Sequence, residues 1–268
     1  MLPFLGQLDR SLPDPFYYLS YKPPAEALKR VTLSNQLRDL GCSRLHFSFW
    51  KVPRSKVRWA LEVVRAADPL ILRRSREVTS PVVNRAKGVY DLGSLTVFAY
   101  HAGGLKPGVR AAVARMLRRM PHIRLGKSLY ATPHIRSSRY DLLRSRILLP
   151  SDFFDALTKL RVETHRLMYM RVVYPSSQQA LYEQLIGGQV KSCHDLLRRS
   201  QLLMKQPRSS GGDTRRLRKI LSGLKTRYLA SKGVAYFLYR TMGVDLRPLL
   251  KDVYNSLVTC KRFVDERG

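Results

Sequence analysis

His101 closes an apolar run, Leu95 to Tyr100, and opens the stretch His101-Ala-Gly-Gly-Leu-Lys-Pro-Gly108. A histidine with Tyr100 and Lys106 nearby has the parts for metal-independent RNA cleavage: a general base and a cation for the developing charge. The same glycine-rich turn leads into a predicted helix start, where backbone N–H groups can receive an anion. Its glycine spacing is neither a Walker loop nor a dinucleotide fingerprint, so a flexible connection is the plainer reading.

Arginine supplies the second kind of chemistry. Arg115, Arg118 and Arg119 recur at three and four residues and so share one helix face, with Arg110 one turn earlier. Arg136, Arg139, Arg144 and Arg146 lie with serines and Tyr140 in a long segment between Pro133 and Pro150, where charge, hydroxyls and a ring can hold phosphate and stack a base. Arg215, Arg216, Arg218 and Lys219 begin a third basic face, which Lys225 and Arg227 continue. These twelve residues are the candidates for contact with a phosphate backbone, which gives affinity without base specificity.

The excess charge is not a tail. The chain has 49 Lys plus Arg against 19 Asp plus Glu, a formal net charge of +30, and each third carries an excess: 14 against 7 in residues 1–80, 17 against 5 in 81–175 and 18 against 7 in 176–268. A field of this sign attracts polyanions and makes affinity salt-sensitive. Nucleic acid is the leading partner; an anionic membrane surface or a neutralising protein partner would satisfy the same charge.

Other chemistries lack their residues. There is no P-loop, His-Glu-x-x-His or Gly-x-Ser-x-Gly motif, and the scattered acids give no carboxylate cluster for a nuclease metal. Cys42, Cys193 and Cys260 share no short spacing, which argues against a disulfide framework or a cysteine zinc site and fits a reducing compartment. No cofactor or metal is expected. Residues 1–11 lack a secretion-signal pattern and no apolar run approaches a bilayer's width, so a cytoplasmic, non-membrane protein is expected.

These residues need elements to hold them. Shifting the chain by 80 positions superposes Tyr17–Pro53 on Val97–Pro133 without a gap, matching Arg30 to Arg110, Leu37 to Leu117, Arg38 to Arg118, Arg44 to Arg124, Leu45 to Leu125, Ser48 to Ser128 and Pro53 to Pro133. This register sets Tyr18 over Phe98 and Trp50 over Tyr130. Each copy reads as a strand, a helix and a second strand, Arg44–Val52 and Ile123–Thr132. Leu28, Val31, Leu33, Leu37 and Leu40 follow near-helical spacing in the first helix and Val109, Val113, Met116, Leu117 and Met120 in the second. A further helix and strand complete each copy, the order of a ferredoxin-like unit.

The expectation is an α+β protein of two tandem ferredoxin-like units followed by a helical C-terminal region. Residues 1–80 hold an irregular lead-in and the first unit, 81–175 the second, and 176–268 a basic helical hairpin or bundle. In that last region Gly187-Gly188 marks a break or a close helix contact, and residues 206–213 form a loop before a helix with Leu217, Ile220, Leu221, Leu224 and Tyr228 inward.

With Ser48-Phe-Trp-Lys-Val-Pro53 and Ser128-Leu-Tyr-Ala-Thr-Pro133 closing its two patterns, the chain resembles the ferredoxin-like small CRISPR-adaptation nucleases and the C-terminal domain of phenylacetate-type transcriptional repressors. It also looks like the ChrB family of chromate-resistance regulators, where such a domain precedes a helical region similar to residues 213–229. The adaptation nucleases place a metal-binding Asp after the first strand. Here Lys22 and His101 follow the corresponding strands, so the resemblance does not carry metal-dependent cleavage with it.

Taken together, these features predict a non-enzymatic nucleic-acid-binding protein, a transcription regulator or an architectural or ribonucleoprotein component, with DNA or RNA as partner and protein partners or a homodimer around it. The alternative is a metal-independent CRISPR-type RNA-processing endoribonuclease with His101 as its base.

Overall fold

A computed structural model describes residues 16–134, 147–206 and 213–266. The chain is α+β, with an antiparallel sheet followed by helices. It begins β1 (Phe16–Ser20), α1 (Ala27–Asp39), β2 (Ser43–His46), β3 (Phe49–Pro53), α2 (Val57–Val63) and β4 (Leu70–Arg74). A two-stranded ribbon follows, β5 (Val82–Asn84) and β6 (Val89–Asp91). The first order then repeats: β7 (Leu95–Tyr100), α3 (Pro107–Arg118), β8 (Ile123–Gly126), β9 (Leu129–Pro133), α4 (Pro150–Lys159) and β10 (Thr164–Val172). Three helices end the chain, α5 (Pro175–Met204), α6 (Asp213–Met242) and α7 (Arg247–Asp265).

Eight strands form one sheet in the order β2-β3-β1-β4-β10-β7-β9-β8. β4 and β10 join the two halves antiparallel, Leu72 opposite Val172 and Arg74 opposite Met170. Alternating side chains divide the core as a strand's period of two requires. Leu19, Trp50 and Ile71 point to one face beneath α1 and α2, and Phe98 points to the same face beneath α3 and α4. Tyr18, Phe49, Leu72, Val97 and Leu129 point to the other face and join the core of α5, α6 and α7.

Several sequence expectations need correction. Each "second strand" is a hairpin that reverses at Phe47-Ser48 or Lys127-Ser128, two pairs without the Asn-Gly or Asp-Gly signature of a two-residue turn. The repeat is also not free of gaps. Leu19 opposes Trp50 in β1–β3, and Phe98 opposes Tyr130 in β7–β9, so the hairpins correspond at a shift of 80 but the first strands at 79. One residue is a change of face: Tyr18 lies in the core shared with the C-terminal helices, whereas Phe98 lies beneath α3 and α4. The extra residue of the second copy falls in its glycine-rich turn, because α1 and α3 begin 80 residues apart.

Helix α1 departs from its expected stripe. Leu28 and Val31 are exposed at 80% and 56%, and only Leu37 of the five apolar residues is fully buried. In α3 the expected stripe holds, with Val113, Leu117 and Met120 buried. Gly187 and Gly188 neither break α5, which runs 30 residues, nor make a close contact, since a Cβ at either would meet nothing within 4 Å. Helix boundaries follow ordinary chemistry: Pro107, Pro150 and Pro175 begin helices, and Gly41 and Gly243, at φ 78° and 66°, end them.

The sheet is curved. Its outermost hairpins lie at opposite ends of the strand order, yet a Cβ on Gly126 would sit 3.0 Å from Ser48 Oγ. The two hairpin turns therefore meet, and the space beside them lies between the halves.

Candidate nucleic-acid interface

Helix α3 projects Arg115, Arg118 and Arg119 toward the C-terminal helices. With Ala111, Ala112 and Met116 they form one wall of a cavity of about 630 Å³, and Gly223, Thr226, Arg227 and Ala230 of α6 form the other. An adjoining space of about 370 Å³ shares Arg118 and Arg227 and brings in Lys191, Asp195 and Arg199 of α5. Small side chains make this cleft: a Cβ on Gly223 would meet nothing within 4 Å, and two alanines face it from α3.

The packing of α5 on α6 fixes the far wall. Gln189 donates through Nε2 to the Ser231 carbonyl at 2.9 Å, and the Ser192 and Ser231 hydroxyls lie 3.1 Å apart. On the near wall, Arg118 donates through Nε to the Ala114 carbonyl at 3.0 Å, which leaves its two terminal nitrogens for the cleft.

Positive charge here is confined and largely unanswered. Burial, then the charges of Arg227, Arg115 and Arg199, pull the Arg118 guanidinium below its ordinary pKa. Burial and then Arg199 do the same to Arg227, with Asp195 acting in the opposite direction. Asp195 is itself engaged by Arg198 at 3.5 Å. Among the described residues, no ion pair involves Arg115, Arg118, Arg119, Arg199 or Arg227. Like charges held this close are destabilising until an anion lies between them.

The twelve sequence candidates divide sharply. Arg115, Arg118 and Arg119 line the cleft. Arg216 and Lys219 are exposed and stand at helical spacing from Gly223 and Arg227, so they extend the basic row toward the start of α6, over about 16 Å from Arg216 to Arg227. Arg215 and Arg218 are exposed but do not line the cleft. Arg110 turns back, donating through Nε to the Leu105 carbonyl at 2.8 Å. Arg136, Arg139, Arg144 and Arg146 lie outside the described residues.

The candidate set lacked Lys191, Arg199 and Arg227. No sequence spacing ties α3 to α5 and α6; their cations join only because the helices pack together. Among the described residues, no aromatic side chain lines the cleft, and Met116 and Leu196 are its large apolar side chains. The geometry suits charge neutralisation and not base stacking.

His101 is exposed, with its Nε2 where a Cβ on Gly103 would approach to 2.9 Å. Another histidine shares its surroundings. Burial lowers the His46 pKa first, then the charges of His165, Arg44 and His101 lower it further, and His46 Nδ1 is buried without a hydrogen-bond partner. Among the described residues, no group of three or more His, Cys, Asp or Glu is arranged to hold a metal ion, and no helix is long and apolar enough to cross a membrane. Compared with known proteins, the chain matches no family model, no curated sequence and no solved structure.

Proposed function

We propose that this chain is a non-enzymatic nucleic-acid-binding protein, a regulator or architectural component, that holds a phosphate backbone in the arginine cleft between α3, α5 and α6. The observation that carries the reading is the half-buried Arg118–Arg227 pair, backed by Arg115 and Arg199, none of which forms an ion pair among the described residues. A phosphodiester chain supplies what this cluster lacks: repeated negative charge that reaches into a narrow opening. The row continuing to Arg216 gives the strand a track about five base pairs long at about 3.4 Å per pair. Recognition by charge alone predicts weak sequence preference.

We further infer that the two strand–helix–hairpin–helix–strand runs are ferredoxin-like units joined edge to edge through β4 and β10. The strand order of each half, β2-β3-β1-β4 and its counterpart β8-β9-β7-β10, supports this.

The test is binding of the full chain to labelled duplex DNA, single-stranded DNA and structured RNA at two salt concentrations. With four arginines each contacting a phosphate, log K on duplex should fall with log salt at a slope of about −3.6. Salt-insensitive binding, or affinity unchanged by Arg118→Glu with Arg227→Glu, would overturn the proposal.

A second reading, a metal-independent endoribonuclease, draws on one observation: His101, His165 and Arg44 all act on the charge of His46. Incubation of pure protein with structured RNA in chelator, followed by a gel, tests it. Cleavage abolished by His101→Ala would favour this reading over the binding one.

A further inference from the structure

A second cavity, of about 910 Å³, lies where the halves meet, on the far side of β8 from its hairpin partner β9. It is bounded by the end of β1, the approach to β4, β8 with its turn into β9, and the first three turns of α5. Three cations line it, Lys22, Arg124 and Lys127, against one carboxylate, the exposed Asp68. Helix α5 enters with no side-chain cap and with Pro175 in its first turn. Gln178 is the first residue whose N–H returns to a carbonyl, that of Tyr174, at 3.1 Å. The N–H groups of Ser176 and Ser177 are thus the unsatisfied donors of a 30-residue helix, and both serines line the cavity.

A separate observation points the same way. Ser20 also lines this cavity, is 1% exposed, and its hydroxyl has no hydrogen-bond partner. A buried hydroxyl costs free energy unless something accepts or donates there. Serine at the base, helix donors on one wall and cations at the mouth complement a terminal tetrahedral anion that enters end-on. Gly126 also lines the cavity, and His46 stands at the corresponding position of the first hairpin.

We infer that this cavity binds a phosphate monoester, with its phosphate on the α5 N-terminus and Ser20 and its ester group toward Tyr21 and Leu181. The inference does not depend on the arginine cleft. The same group occurs on a free nucleotide and at the 5′ end of a nucleic-acid strand, and the cavity has room for a nucleotide.

The test is calorimetric titration of the full chain with inorganic phosphate, AMP, and 5′-phosphorylated and 5′-hydroxyl forms of one RNA 12-mer, for wild type and for Ser177→Asp. An Asp at this position is compatible with a helix N-terminus, so the variant folds, but its carboxylate occupies the place of the phosphate. AMP binding that inorganic phosphate displaces, weakened at least about tenfold in Ser177→Asp, identifies a free nucleotide as the source. A 5′-phosphoryl preference of about tenfold or more that disappears in Ser177→Asp identifies a strand end. The Arg118→Glu, Arg227→Glu variant retains either effect, which separates this site from the cleft. Equal behaviour of wild type and Ser177→Asp toward all four ligands would overturn the inference.

Discussion

Arg38 and Arg118 occupy the same position of the same helix in the two halves of the sheet, yet their surroundings have nothing in common. Arg38 is exposed on α1, where its guanidinium donates to Asn35 Oδ1 at 3.4 Å. Arg118 is half-buried where α3 meets α6, with Arg227 and Arg199 near enough to depress its pKa. The C-terminal helices make the difference, because α6 reaches α3 while α1 leaves Leu28 and Val31 in solvent. A duplicated position becomes a candidate site only when a third element closes over it.

The strongest way to break this comparison is through the core that holds α3 in place. Phe98 is 1% exposed and packs its ring 5.2 Å from Phe153 and 5.4 Å from Phe154. Phe98→Ala should cost about 3–5 kcal/mol, read by chemical denaturation, and loosen the cleft. Leu19→Ala, its counterpart in the first half, should cost about 2–5 kcal/mol and leave affinity per folded molecule intact.

Charge reversal sharpens it next. Arg118→Glu with Arg227→Glu should weaken nucleic-acid binding by about a hundredfold at low salt, whereas Arg38→Glu should change it by less than about threefold. Equal losses at both positions in a filter-binding or anisotropy assay would mean that the field of the whole chain, not the cleft, holds the ligand. The neutral substitution Arg118→Gln should weaken binding while raising unfolding stability by about 0.5 kcal/mol, since it relieves a like-charge contact.

Acid should also distinguish the hairpins. His46 of the first has a lowered pKa, caused first by burial, while its counterpart Gly126 cannot titrate. A His pKa lower in the folded than in the unfolded state contributes stability that is present above about 6.5 and lost as pH falls toward the folded value. His122 and His134 are lowered too, so the melting temperature should drop between pH 7.5 and 5.5. His46→Gln should flatten part of that drop.

The smallest effect lies in the two turns. Ser128 has φ 56°, in the left-handed region, and Ser48 does not. Ser128→Gly should be neutral or stabilising, and Ser48→Gly destabilising by about 0.5–1 kcal/mol, compared by thermal unfolding.

Much of this architecture could be read from the chain. The helix with Val113, Leu117 and Met120 inward, the late helices and the repeat all follow from apolar spacing. The first hairpin could not, because Leu45-His-Phe-Ser-Phe-Trp-Lys-Val52 mixes apolar and polar residues as a single half-buried strand does, and its turn lacks glycine. The register slip was hidden by the identities themselves, all seven of which belong to the helix and hairpin and none to the first strand. On the site, the arginine face of α3 was legible from three- and four-residue spacing. Arg227 was legible only as part of a basic helix face and Arg199 not at all, because only the folded packing of segments some hundred residues apart sets them opposite Arg118.

The seam between β4 and β10 also has a consequence for the chain as it leaves the ribosome. Leu70–Arg74 is complete about ninety residues before its neighbour Thr164–Val172 has been synthesised, so the first half passes through a period with an open strand edge. Arg73, Arg74 and Arg76 crowd the end of that strand, a density of charge that discourages pairing with another nascent chain. A basic cluster at that place is suited to a gatekeeper's part during synthesis, before the second half arrives to cover the edge.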